Sequence, residues 1–147
     1  MATSLFPVGA EDVLYLLDLS SHVMRAYHAI RPLQSPTGEP THAVFGVVTM
    51  LERLLKERRP YRLAVAMDSS RATFRRDFYP EYKANRPPAP EDLKVQFVRC
   101  EQLVRALGIP VFREEGVEAD DLLACAVDRA RANGLRTVIL GADKDLM

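Results

Sequence analysis

Three short apolar runs in this chain each end on an aspartate: VLYLLD at Asp18, RLAVAMD at Asp68 and TVILGAD at Asp143. Runs of this length, bounded by polar residues, read as buried strands of a parallel sheet. Ligands of such sheets sit beyond the carboxyl ends of the strands. A fourth acidic group, Glu118-Ala119-Asp120-Asp121, opens a helical pattern, and Asp145 follows Asp143 by two. The pattern therefore gathers five to seven carboxylates at one edge of one sheet. Two carboxylates about 6 Å apart repel by roughly 3 kcal/mol at an effective dielectric near 20. A cluster of this size requires protonation or a cation. The donors are all oxygen, which favours Mg²⁺ or Mn²⁺ over zinc.

Each acid also has a simpler explanation. Asp18 suits a helix N-cap, Asp120 and Asp121 suit a helix first turn, and Asp68 and Asp143 suit turns. The combination at one edge is what favours a metal site. His22, His28 and His42 are expected on or near helices away from that edge, in surface or helix-packing roles.

The remaining pattern alternates strand and helix. Strands are expected at about 13–19, 62–67, 109–113 and 136–141, and helices at about 20–30, 42–58, 90–107 and 119–132. Thr41 is placed to cap the second helix, whose apolar face is Ala43, Val44, Val47, Val48, Leu51, Leu54 and Leu55. In the third, Leu93, Phe97, Cys100, Val104 and Leu107 form the stripe expected to be buried, and Gly108 follows at C′. The fold class implied is α/β, an open and mostly parallel sheet with helices on both faces. No helix follows the last strand to cover it, so the 147 residues are expected to be the N-terminal part of a longer protein.

Charge and cysteine usage narrow the class. The formal net charge is zero, so attraction to nucleic acid must come from a local patch. Cys100 and Cys125 fall on apolar helical faces and are expected to be buried free thiols of a reducing compartment. The N-terminus lacks a signal-peptide pattern, and the longest apolar run, Ala43 to Leu51, is too short for a bilayer. A cytoplasmic protein without membrane partners is expected.

Ser69 to Pro90 is different in kind. It holds Arg71, Arg75, Arg76, Lys83 and Arg86 against only Asp77 and Glu81. Phe74, Phe78, Tyr79 and Tyr82 are four of the chain's eleven aromatics (5 Tyr and 6 Phe). Cations interleaved with rings suit a phosphate backbone with stacked bases. The segment starts immediately after Asp68, so it overhangs the acidic edge. Phosphodiester cleavage needs metal on one side of the phosphate and cations on the other.

Asp18 and Asp68 after the first two strands, with FRRDFYPEYKANRP, GVEADD and GADKDL, resemble the 5′-nuclease domain of bacterial DNA polymerase I, within the flap-endonuclease family. The resemblance runs from about Val13 to Met147. It implies a PIN-like (resolvase-like) core in a single domain, 1–147, with 69–90 as a basic and aromatic arch base. It also implies 5′-to-3′ exonuclease and 5′-flap endonuclease activity on DNA with 5′ ends or flaps. Two metal ions, Mg²⁺ or Mn²⁺, would serve the complete domain. Asp18, Asp68, Glu118, Asp120, Asp121, Asp143 and Asp145 match the family's acidic metal positions. Lys83 and Arg86 match the basic residues that contact the scissile phosphate, and Tyr82 matches a base-stacking position. Gly116 matches the turn that presents Glu118. The family also has a Gly-Asp-x-x-Asp-Asn stretch and a helix-hairpin-helix element. Neither is in this sequence, so a truncated domain, an incomplete second metal site and weak duplex binding are expected. A polymerase domain in the parent chain is a further implied partner. A free-standing PIN-type ribonuclease and a non-catalytic nucleic-acid-binding module remain the alternatives.

Overall fold

The computed structural model of the chain describes residues 7–69 and 90–141. Its elements run in the order β1 (Val13–Asp18), α1 (Leu19–Ala29), α2 (His42–Arg58), β2 (Arg62–Ala66), α3 (Glu91–Ala106), β3 (Val111–Phe112), α4 (Ala119–Ala132) and β4 (Arg136–Leu140). The four strands form one parallel sheet in the order β3-β2-β1-β4. The α/β class and the strand–helix alternation are therefore as the sequence indicates.

Strand order creates a crevice at one edge of the sheet. The chain steps outward from β1 to β2 to β3, then returns to lay β4 on the other side of β1. The order reverses between β1 and β4, which is where open α/β sheets form a ligand crevice beyond the strand ends. Asp18 is the last residue of β1, so it lies at that crevice.

Alternation along β1 sorts the core into two layers. Leu17 packs with Val65, Met67 and residues of α1, α2 and α3, including Val23, Val47, Leu51, Leu93 and Val104. Leu16 packs with Ala64, Ala66 and the α4 residues Ala119 and Leu123. Three helices thus cover one face and α4 covers the other. Each fully buried Leu or Val contributes on the order of 1.5–3 kcal/mol.

Several sequence expectations need correction. Leu107 is 51% exposed and Leu55 39% exposed, although both fit the apolar stripes. Helix α3 stops at Ala106, so Leu107 sits at the cap, while Leu51 and Leu54 fill the core that Leu55 only borders. Strand β3 is two residues rather than five. Among the described residues it is a sheet edge that pairs only through Val65↔Val111 and Ala66↔Phe112, and Pro110 before it has no N–H to extend the ladder. Cys100 is buried, and burial pushes its thiol up to about 12. Cys125 is exposed, because the buried stripe of α4 runs through Ala119, Leu123 and Ala130 instead.

Helix α2 is not capped by Thr41, which makes no side-chain capping hydrogen bond. Gln96 of α3 performs that role from across the core. Its Oε1 accepts from Ala43 N at 2.6 Å and Val44 N at 3.3 Å, and its Nε2 donates to Asp92 O at 3.1 Å. The side chain is wholly buried, so these bonds satisfy helix-end donors that water cannot reach. Helices α1 and α2 also cross closely at Gly46, where a Cβ would come within 2.6 Å of Ala26 Cβ and 2.8 Å of Ile30 Cδ1.

Two stability outcomes follow. Gln96→Leu strands buried N–H groups and is expected to cost about 2 kcal/mol in urea unfolding. An unchanged midpoint for Gln96→Leu would show that α2 needs no side-chain cap. Gly46→Ala forces the two helices apart and is expected to lower stability by about 1–3 kcal/mol in the same assay.

Candidate metal centre at the sheet edge

Asp18 ends β1 and begins α1. Its Oδ1 accepts from Ser21 N at 3.2 Å, so the N-cap role is real. The cap orients the carboxylate without exhausting it, since a carboxylate offers about four lone-pair sites. Burial is the main force pushing the Asp18 carboxyl above the usual range, and the bond from Ser21 opposes it. Nearby negative charge on Asp120 and Asp68 then raises it further. The sheet edge therefore brings carboxylates from β1, from the end of β2 and from the first turn of α4 within electrostatic reach of one another.

Hydrogen bonds between side chains and backbone knit those three places together. Ser20 Oγ accepts from Asp68 N at 2.8 Å, tying the exit of β2 to the first turn of α1. Asp68 Oδ1 accepts from Ala119 N at 2.7 Å, so it serves a free N–H at the start of α4. Ser69 Oγ accepts from Gly116 N at 3.0 Å, and Ser69 N donates to Val117 O at 3.4 Å. Gly116 has a φ of +79°, a conformation that favours glycine, and it turns the chain toward Glu118. Glu118 is the N-cap residue of α4, and its Oε1 is buried at this corner.

The structure thus brings together Asp18, Asp68 and Asp120, with Glu118 beside them at the start of α4. Asp121 occupies the same first turn of α4. Asp143 and Asp145, and the segment residues Arg71, Arg75, Arg76, Tyr82, Lys83 and Arg86, lie outside the described residues. Among the described residues, no group of three or more His, Cys, Asp or Glu side chains is arranged to hold a metal ion. What the described donors show is partial fit: they are oxygen ligands, and Asp18 carries the electrostatic load that a cation relieves.

Sequence reasoning missed Ser20 and Ser69. Small hydroxyl residues next to strand-ending aspartates are the signal that could have found them, because they bond readily to nearby backbone. It also misplaced one histidine. His22 lies near the acidic edge, with Nε2 3.3 Å from Leu140 O at the end of β4. His42 is a packing residue as expected, buried with its ring tilted 37° against Tyr27 at a centroid distance of 4.9 Å. No helix among the described residues is long and apolar enough to cross a membrane.

The chain resembles known proteins in sequence and in fold. DNA polymerase I of Pseudomonas aeruginosa is 45% identical over 133 residues, which is 90% of this chain and 15% of the polymerase. A 5′-3′ exonuclease of Aquifex aeolicus is 40% identical over 134 residues, 91% of this chain and 46% of that protein. The chain thus spans less than half the length of these relatives. A solved structure of a bacteriophage T5 flap endonuclease, in a pseudo-enzyme-product complex with DNA and metal ions, superposes with a TM-score of 0.60. It is 24% identical and covers 91% of this chain and 50% of its own, which shows a shared fold. Residues 13–147 match the family model described as 5′-3′ exonuclease, N-terminal resolvase-like domain. With that match over nearly its whole length, the chain belongs to the 5′-3′ exonuclease family as an N-terminal resolvase-like domain.

Proposed function

We infer that this chain supplies much of the active site of a metal-dependent 5′-to-3′ DNA nuclease acting on 5′ ends and 5′ flaps. The observation that carries the reading is the Asp18 carboxyl at the switch-point edge, pushed up chiefly by burial and further by the charges of Asp120 and Asp68, in a chain of this family. Mg²⁺ or Mn²⁺ is the cation class that suits these oxygen donors. Bound there, it would supply Lewis-acid stabilisation and an activated water for phosphodiester hydrolysis.

The chain's own residues have distinct tasks. Asp18, Asp68, Glu118, Asp120 and Asp121 would hold the cation directly or through water, with Asp143 and Asp145 as further ligands. Ser20 and Ser69 keep the exits of β1 and β2 and the turn before α4 in register. Lys83 and Arg86 would steer and polarise the scissile phosphate, while Arg71, Arg75, Arg76 and Tyr82 would contact the displaced strand. A polymerase domain in the same parent chain fits the relatives' architecture, and 69–90 is proposed as the DNA-facing arch base.

Asp68→Asn and Asp120→Asn in the intact protein are expected to reduce cleavage of a 5′-flap DNA about a hundredfold or more while leaving the fold in place. Unchanged turnover in both would sink the assignment. Preferential cutting of single-stranded RNA would favour the PIN-type ribonuclease instead, and metal-dependent stabilisation without any cleavage would favour a binding module.

The raised Asp18 carboxyl gives a prediction of definite sign. Its folded-state pKa lies above the unfolded value, so the folded protein binds the proton more tightly. Without metal, stability is lost as pH rises through the folded pKa and regained below the ordinary carboxylate range. Asp18→Asn keeps a good N-cap and removes the charge. It is expected to raise the metal-free melting temperature at pH 7, to lose that advantage in acid, and to forfeit stabilisation by Mg²⁺. A lower metal-free melting temperature at pH 7 would contradict the electrostatic account.

A further inference from the structure

The amino ends of the strands carry a second charged surface, away from the acidic edge. Arg62 opens β2, while Asp68 lies beyond the other end of that strand. About 20 Å of extended chain separates the two. From Arg53 to Arg62 the sequence holds Arg53, Lys56, Arg58, Arg59 and Arg62 against Glu57 alone. Arg53 pairs with Glu57, Nε to Oε1 at 3.2 Å, which leaves Lys56, Arg58, Arg59 and Arg62 as the excess.

Lys56, Arg59 and Arg62 are exposed, and among the described residues none of them makes an ion pair. Arg58 is half-buried and donates through Nε and Nη2 to Tyr15 Oη, each at 3.1 Å. Arg62 Nε donates to the Glu11 carbonyl oxygen at 2.9 Å. Both acceptors are neutral, so these bonds orient the guanidinium groups without cancelling their charge. Asp12, at the same end of the sheet, is held in a fork by Arg136 with both contacts at 2.8 Å. Tyr61 is 60% exposed, and Arg62 Cζ lies 5.4 Å from its ring centroid. A bare ring braced by a guanidinium, among further cations, matches a phosphate backbone with one stacked base. An acidic protein surface would use the cations but has no need of the ring.

Backbone geometry supplies a second observation. Arg59 is the C-cap of α2 at φ +44° and ψ +56°, the one non-glycine residue of positive φ among the described residues. Glycine is the ordinary residue in that conformation, because a Cβ is strained there. Lys56 and Arg58 lie in the last turn of α2, where the helix dipole favours cations. The dipole accounts for neither Arg62 nor the uncovered Tyr61, and it does not require a strained backbone at Arg59.

We propose that Lys56, Arg58, Arg59, Tyr61 and Arg62 form a second nucleic-acid contact, which takes the backbone of a single strand outside the acidic crevice and stacks one base on Tyr61. The contact goes beyond the metal site and does not require it, so binding can be measured with no metal present.

The test reads anisotropy of a fluorescein-labelled oligo(dT) with the intact protein in EDTA, over a series of KCl concentrations. The patch variant is Lys56→Gln/Arg59→Gly/Arg62→Gln. A control, Arg105→Gln/Arg129→Gln/Arg131→Gln, removes the same charge from the last turns of α3 and α4. The patch variant is expected to bind at least about tenfold more weakly at low salt, with a salt slope shallower by about 2. The control is expected to stay within about threefold of wild type. Tyr61→Ser is expected to weaken binding about fivefold or more and to leave the slope unchanged. Arg59→Gly alone should keep or raise the melting temperature, which separates lost binding from lost folding. A patch variant or a Tyr61→Ser protein that binds like wild type would overturn the proposal, as would a control that loses as much as the patch variant. Polyglutamate that displaces the oligo(dT) at equal charge concentration would assign the surface to an acidic protein and overturn it too. Flap cleavage with Mg²⁺ keeps the two readings apart. The patch variant should raise KM and leave kcat unchanged, and a changed kcat with KM unaltered would contradict a contact outside the crevice. A wild type that binds oligo(dT) but never cleaves would remove the nuclease reading and leave this contact standing.

Discussion

The acidic edge depends on one two-sided hydrogen bond relay through Asp68. Its backbone N–H is held by Ser20 Oγ, and its carboxylate accepts from Ala119 N at the start of α4. Through these two bonds the first turn of α1, the exit of β2 and the first turn of α4 are fixed relative to one another. Those three places carry Asp18, Asp68 and Asp120, so the relay sets the spacing of the charges. It also satisfies a helix-end N–H that would otherwise go unmet near the core. On the proposed reading, structural and functional demands fall on the same carboxylates. Asp18 caps α1 while burial and its neighbours push its carboxyl upward.

Gln96 shows the same economy away from the edge. One buried amide closes the N-terminus of α2 and bonds to the first turn of α3, locking the three-helix layer on which β1 and β2 rest. Gly46 allows α1 and α2 to approach closely enough for that layer to close. The position of α1, and hence of Asp18 and His22, is therefore set from two directions, the sheet edge below and the helix layer beside it.

Much of this was legible in the chain because strand ends and helix starts announce themselves. Asp18 and Asp68 after the first two strands, the acidic first turn of α4, and the terminators Gly108 and Gly134 all stand where local rules place them. The short edge strand β3 was overestimated because its apolar residues look like any strand, while its pairing is limited by a single neighbour. Gln96 and His22 could not be read because their partners lie 53 and 118 residues away in sequence. No local period encodes such contacts. Stripe residues such as Leu55 and Cys125 failed for a related reason: periodicity identifies a face, but packing decides how wide the buried part of it is.

The central claim is that the acidic edge of Asp18, Asp68 and Asp120, together with the further acids proposed for it, takes up a divalent cation. Equilibrium binding of Mn²⁺, followed by the loss of the free ion's EPR signal, measures this without requiring turnover. The intact protein should bind Mn²⁺ at neutral pH, and Asp120→Asn should weaken that binding at least about tenfold while preserving the melting temperature without metal. Equal Mn²⁺ affinity in the two proteins would show that the three carboxylates are helix caps and first-turn residues with no common ligand.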